Sequence, residues 1–278
     1  MSDFLPHDVF IDVLTRLPIK ALVRCACVCK SWYSLFTNPS FITTHLNRSS
    51  IVNNNNLLLV RSRSSDDANV VHYSLLRYEN GTLCDNAELE LPLKCYRNPS
   101  LRIIGSCNGL VCLSNDLHGY QEELYLWNPS IRKTMALHQL RVKFQSHGPF
   151  MHTIGFGFDP ATDDYKVVRI VYLESLDEPY DFGSPPEIDI FSLSTGTWRN
   201  ISHFGLPHII DERAPQTYLN GAAHWFANGL LSGNTCHLIV SFHMGDEVFG
   251  EIKVPSSIFD EYRASSVGVE KYQESLSL

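Results

Sequence analysis

Apolar residues recur along this chain with two different periods. Val9, Phe10, Val13, Leu14 and Leu17 lie at steps of one, four, five and eight from the first of them. That spacing makes one stripe of an α-helix. Pro6 suits a first helical turn, where its missing N–H costs nothing, and Asp8 favours the positive end of the helix dipole. Leu17-Pro18 ends the helix, because a residue before proline avoids the α region. The pattern predicts a second helix from about Ile19 to Val28, with Leu22, Val23, Ala26 and Cys27 on its apolar side. A third carries Trp32, Leu35 and Phe36 and stops at Asn38-Pro39. Residues 45–56, which include the polar run "NRSSIVNNNN", read as a linker.

Beyond residue 57 the period changes. Short runs of β-branched and aromatic residues alternate with turn signals. "VVHYSLLRYENGTLCDNAELELP", "LYLWNPSIRKTMAL", "IDIFSLSTGTWRNI" and "LIVSFHMGDEVFGEIKVP" each read as strand, turn, strand. Between them lie "SCNGLVCL", "IGFGFDPATDDYKVVRIVYL" and "NGAAHWFA". Each interval holds about four short strands, the signature of a β-propeller blade with a kelch-like period. One small sheet cannot cover its own faces, so neighbouring blades must bury each other's apolar sides. Trp127, Trp198, Trp225 and Phe226 are therefore expected between blades. The predicted fold is α+β by segments: helices over 1–44, a linker over 45–56, and an all-β propeller-like domain over 57–278. The final "SVGVEKYQESLSL" reads as the opening of a further blade, so the domain is expected to be incomplete at its C-terminus.

Composition narrows the function. The 278 residues are 44% hydrophobic and 19% charged, which is globular rather than disordered. The formal charge is -8 and no Lys/Arg run occurs, so a nucleic-acid footprint is not expected. No apolar run reaches the roughly 18 residues that would span a bilayer, and the N-terminus is a poor signal peptide. The expected compartment is the cytoplasm, the nucleus or both. The 8 cysteines in a chain this long suggest free thiols, not a disulfide framework.

Candidate chemistry is sparse. The sequence contains no G-x-S-x-G elbow, no P-loop and no H-E-x-x-H, and "GFGFDP" lacks the third glycine of a dinucleotide loop. Asp159, Asp163 and Asp164 could join a calcium site, but aspartates in such a turn more simply bind turn backbone. His147 with His152, and His203 with His208, lack ligand partners at sensible spacing. Cys25, Cys27 and Cys29 lack the second pair that structural zinc requires and are expected to be buried as small hydrophobes. No cofactor or metal is expected, and no catalysis. Two loops attract notice as protein-binding surfaces. "ESLDEPYDFGSPPE" mixes acid with aromatics (Glu174, Asp177, Glu178, Tyr180, Asp181, Phe182) and suits a basic partner. "LRVKFQSHGPFMH" offers the opposite sign through Arg141 and Lys143.

Two resemblances give these patterns a reading. "LPHDVFIDVLTRLPIKALVRCACVCKSWYSLFTNPSF" resembles an F-box at Leu5-Pro6, Leu14, Leu17-Pro18, Leu22, Val28-Cys29-Lys30 and Trp32. "GSCNGLVCL", "LWNPSIRK", "GFGFDPATDDYKVVRI", "IFSLSTGTWR" and "LNGAAHWFA" resemble the F-box-associated domain of plant F-box proteins, which include the F-box/kelch and S-locus groups. The resemblance implies a substrate receptor of a Skp–cullin–F-box ubiquitin ligase. Leu5, Pro6, Val9, Val13, Leu14, Leu17, Pro18, Leu22, Val28, Lys30 and Trp32 would meet a Skp-type adaptor, and the β domain would hold a target protein. Among S-locus members the implied target is a basic ribonuclease. The alternative is a kelch-type scaffold without ligase association, its helices used internally.

Overall fold

A proline opens each of the first two helices. In the computed structural model, α1 (His7–Thr15) follows Pro6 and α2 (Ile19–Ala26) follows Pro18. The carbonyl of Pro6 accepts from the Phe10 N–H at 3.1 Å, and that of Pro18 from Ala21 at 2.8 Å. The structure describes residues 6–52, 57–64, 70–79, 82–89, 91, 101–116, 123–138, 140–175, 185–231, 234–255, 268–272 and 275–278. It divides into two units, one of residues 1–100 with 128–134, the other of residues 101–127 with 135–278.

The first unit begins with four helices, not the three expected. α3 (Lys30–Phe36) ends before Asn38, as predicted, but Pro39 opens α4 (Pro39–Val52). Proline fits there as a first helical residue, and the Asn38 side chain accepts from the Ser40 N–H at 2.9 Å, as an N-cap does. Residues 45–52, expected as linker, are thus the second half of α4. Their polarity misled the reading because most of that helix faces water while a few residues tie it back to α1. The His45 ring lies 2.9 Å from the Leu17 carbonyl. Asp12 accepts from Arg48 at 2.6 Å through one oxygen and from Arg16 at 2.6 Å through the other. Leu14, Leu22 and Phe41 form the centre of the bundle, with Phe10, Ile11, Leu17, Leu35 and Phe36 around them. Successive ring contacts link Phe10, Trp32, Phe36, Phe41 and His45. This unit also holds an antiparallel sheet of β1 (Leu57–Arg63), β2 (Val71–Glu79) and β3 (Thr82–Leu89).

The rest is antiparallel meander. β4 (Arg102–Cys107), β5 (Leu110–Ser114), β6 (Leu124–Asn128) and β7 (Lys133–Leu137) form one sheet. After a short helix α5 (Phe144–His147), β8 (Phe150–Asp159), β9 (Asp164–Leu173), β10 (Glu187–Ser192) and β11 (Thr197–Asn200) form the next. A third contains β12 (Ile209–Ile210), β13 (Thr217–Leu219), β14 (Ala222–Leu231), β15 (Asn234–His243) and β16 (Val248–Lys253); β17 (Glu270–Tyr272) and β18 (Ser275–Ser277) pair separately. These are the propeller blades of the sequence pattern. Asn108-Gly109 and Asn220-Gly221 have positive φ at both positions, the two-residue turn that matches strand twist.

The sheets of the second unit bury their faces on each other. One cluster joins β9 and β10 to β14 and β15 through Val168, Ile170, Ile190, Trp225 and Val240. Another joins β4, β5 and β6 to β8, β9 and β10 through Ile104, Cys112, Ile154, Phe156 and Phe191. Trp225 is wholly buried in the first and Trp198 packs on the second, the inter-blade placement expected of them.

The "IGFGF" segment shows why small and large residues alternate. β8 lies at one edge of its sheet, so every second backbone group lacks a strand partner. Side chains that precede or belong to the next sheet supply the bonds. Trp225 Nε1 donates to the Ile154 carbonyl at 3.3 Å, and Tyr218 Oη to that of Phe158 at 2.6 Å. Gln216 between them both donates to the Phe156 carbonyl, at 3.2 Å, and accepts from its N–H, at 3.0 Å. Gly155 and Gly157 make room: a Cβ on Gly155 would lie 2.4 Å from Trp225, and one on Gly157 2.5 Å from Tyr218. The glycines serve packing.

Candidate functional site

The helices present two apolar stripes, and only one is buried. Phe10 and Leu14 on α1, and Leu17 just beyond it, turn inward while Val9 and Val13, one turn apart, are exposed. On α2, Leu22 is buried while Ile19 and Val23, again one turn apart, are exposed. Val28, between α2 and α3, is 72% exposed, and Tyr33 and Ile42 are open as well. An apolar side chain left in water is the kind of surface that a partner covers.

The expected contact residues therefore split. Val9, Val13, Val28, Pro6, Pro18 and Lys30 are exposed, and Leu17 and Trp32 are half-buried. Leu5 lies outside the described residues. Leu14 and Leu22, at 5% and 3% exposure, are corrections: they are the core of the bundle, not its outward face. A single stripe read from spacing cannot say which edge of it faces inward, since neighbouring positions differ by only about 100° around the axis. Ile19, Tyr33 and Ile42 were not picked out as contacts, and Val23 was assigned only to the apolar side of α2. The signal for Ile19 and Val23 was their i,i+4 spacing. Cys27 and Cys29 are exposed and Cys25 half-buried, against the expectation of burial. They flank the turn between two short helices, where little protein lies above them.

Electrostatics around this face are simple. Lys20, Arg24 and Lys30 are exposed on or beside α2 and α3. The hydrogen bond from Arg48, with that from Arg16, holds the Asp12 carboxyl below its ordinary range.

On the β side, Glu174 is the one candidate contact of the acidic loop that lies among the described residues. Its N–H donates to the Pro149 carbonyl at 3.1 Å. Asp177, Glu178, Tyr180, Asp181 and Phe182 lie outside the described residues. In the basic loop, Arg141 is engaged internally, donating to Asp189 at 3.2 Å and to Glu187 at 2.5 Å, while Lys143 is exposed. The buried charges bridge sheets. Asp116 receives the Arg102 guanidinium and lies 3.1 Å from His152 Nε2. Burial opposes its charge, but His152 and Arg102 together hold the carboxyl well below the usual range. Lys166 donates to Asp159 at 2.9 Å, to the Met244 carbonyl at 2.7 Å and to Glu247 at 3.0 Å. Burial would raise Asp159, yet bonds from Thr162, Lys166 and the Ala161 N–H bring it down to about 2. Asp159 is thus a turn residue, as the simpler reading had it. Asp164 likewise accepts from the Ser194 N–H at 2.8 Å. The histidine pairs separate: His147 meets Ser146, His152 meets Asp116, His203 lies tilted against Phe204 and His208 meets Glu251. Among the described residues, no three such groups are placed to hold a metal, and no helix is long and apolar enough to cross a membrane.

Two family models match the chain. The F-box domain covers residues 3–44 and the F-box associated beta propeller domain residues 56–273. The chain belongs to the F-box proteins with an F-box-associated β-propeller. This F-box protein is 28% identical over 270 residues to the F-box protein CPR1 of Arabidopsis thaliana, a match covering 91% of the chain and 61% of the relative. An F-box/kelch-repeat protein of the same plant is 29% identical over 267 residues, covering 90% of the chain and 65% of the relative. The F-box protein thus spans less than two thirds of the length of these relatives. The solved structure of TolB from Acinetobacter baumannii overlaps 72% of the chain and 55% of its own, at a TM-score of 0.27 and 12% identity, too slight a likeness to inform the fold.

Proposed function

We propose that this F-box protein is a non-catalytic substrate receptor of a Skp–cullin–F-box ubiquitin ligase. The helices dock on a Skp-type adaptor, and through it on a cullin–RING ligase. The β domain holds a target protein for ubiquitination and degradation. The observation that carries the reading is the exposure of Val9 and Val13 on α1, Ile19 and Val23 on α2 and Val28 after it, in the segment matched by the F-box model. Exposed apolar helix residues fit an apolar groove, and Lys20, Arg24 and Lys30, exposed on or beside the same helices, suit an acidic partner, since complementary charge steers encounter. Transfer chemistry falls to other subunits, and this chain supplies proximity. Every cysteine among the described residues is a free thiol, which supports the cytoplasm or nucleus as the compartment. The target is read by loops of the β domain, and the acidic 174–182 segment favours one with a basic surface.

Co-purification with a Skp-type adaptor tests this. Val13→Asp or Val23→Asp should abolish capture, because burying an unpaired charge costs about as much as such an anchor contributes or more. Capture unchanged by both would sink the reading and favour a scaffold independent of the ligase.

A further inference from the structure

The third sheet holds a cysteine, a histidine and a glutamate that the receptor reading does not use. Cys236 on β15 is the direct cross-strand partner of Gly229 on β14. His208 immediately precedes β12, whose Ile209 pairs with Asn228, so it continues that register to the other side of Gly229. Residues in one row across a sheet share a face. Across three strands, side chains at the ends of such a row are ordinarily kept apart by the one between them. Here the middle residue has no side chain. A Cβ at Gly229 would lie 2.7 Å from His208 Nδ1, 3.1 Å from a Leu238 methyl and 3.2 Å from Cys236 Sγ, so the imidazole and the thiol lean over the same gap beside the leucine. Nδ1 and Sγ are separated by at most the sum of their own two distances.

The other ring nitrogen faces a carboxylate. His208 Nε2 lies 2.7 Å from Glu251 Oε1 on β16, in ion-pair range though not aligned as a hydrogen bond. Tyr172 Oη donates to the His208 carbonyl at 2.8 Å and accepts from the Ile210 N–H at 3.2 Å, which pins the segment. Nδ1 is shut off from solvent and has no hydrogen-bond partner among the described residues. Cys236 is half-buried. Thiol, base and carboxylate thus follow in order, the arrangement that activates a sulfur nucleophile. Sγ and Nδ1 are not hydrogen-bonded to each other in this structure, as is common before a reactant arrives.

We propose that Cys236 is a modification site, a thiol made nucleophilic by His208, with Glu251 as positioning residue, and that its substrates are small disulfides. Cys236 Sγ attacks one sulfur of the disulfide as its proton passes to His208 Nδ1. A new S–S bond joins Cys236 to that sulfur, the original S–S bond breaks, and the departing thiolate takes the proton from His208. No further oxidant is needed. The step is independent of adaptor docking, so its failure would leave the receptor reading untouched.

The test exposes the purified full chain to hydroxyethyl disulfide and follows mixed-disulfide formation at each cysteine by peptide mass. Exposed Cys84 reports ordinary reactivity. Buried Cys107 and Cys112, whose thiols are pushed up to about 12 by burial, report an intact fold by staying unmodified. Cys236 should react about tenfold faster than Cys84 despite being less exposed, and His208→Gln should slow it by about tenfold with Cys84 unchanged. A wild-type rate at or below that of Cys84 overturns the proposal. So does a rate indifferent to His208→Gln while Cys107 and Cys112 stay protected. If that variant exposes the buried pair, Glu251→Gln at the exposed carboxylate decides: a selective slowing of Cys236 supports the site, and no change refutes it.

Discussion

The helical bundle and the sheets of the β unit bury comparable kinds of side chain in different ways. The larger sheets of the β unit find most of their cover in the same chain: Ile154, Phe156, Val168, Trp225 and Val240 are completely shielded. The helices close over Leu14, Leu22 and Phe41 and leave Val9, Val13, Ile19, Val23 and Val28 in water. The difference follows from size and repetition. Stacked sheets multiply the faces available to each other, whereas four short helices have one small interior and more apolar stripe than it can hold. Stability in the β unit is therefore internal, while part of what the helices could gain by burial is left for a second surface.

That contrast can be broken, and the largest blow should come in the β unit. Trp225→Ala removes a fully buried ring and its bond to β8, and should cost about 3–5 kcal/mol in urea unfolding. Leu22→Ala should cost about 2–5 kcal/mol, read from loss of helical circular dichroism. The neighbouring Val23→Ala should stay within about 0.5 kcal/mol. Equal losses at Leu22 and Val23 would erase the distinction between inward and outward stripes. Gly155→Ala forces a Cβ against Trp225 and should cost about 1–3 kcal/mol through overpacking, with no effect on the helices.

The smallest effect is a pH dependence. Asp159 is held at about 2 against an ordinary 3.8. A carboxyl lowered by folding stabilises the native state above its unfolded value, and that contribution is lost as pH falls through the folded one. The urea midpoint should therefore drop between pH 3.8 and about 2, and Asp159→Asn should flatten this decline relative to the wild type. A variant as steep as the wild type there would show that the Lys166 cluster does not couple to folding.

Much of the fold was readable. The runs "SCNGLVCL" and "NGAAHWFA" were read as strand, but the Asn-Gly pairs at 108–109 and 220–221 that make their tight turns were not singled out, although few other residues accept positive φ at two successive positions. Pro6 marked a helix start and Leu17-Pro18 a helix end, though Pro18 also opens α2. The fourth helix was missed because its sequence is polar on most sides, and its hold on α1 comes from Phe41, His45 and Arg48, contacts that no local pattern encodes. Of the outward face, Val9, Val13 and Val28 were anticipated, but Leu14 and Leu22 were placed on the wrong side of the same stripes. The reactive-thiol cluster had no signal in the chain, since His208, Gly229, Cys236 and Glu251 come together only through strand pairing.

By itself the amino-acid order determined which segments become helix or strand, where they turn, and that each would carry apolar surface in need of cover. Those properties depend on a residue and its neighbours within a turn or two. Only the tertiary structure decided which apolar residues the chain covers and which it leaves open, and which distant polar groups share a site. The choice is settled by competition for burial among elements far apart in sequence, and local periodicity holds no record of its outcome.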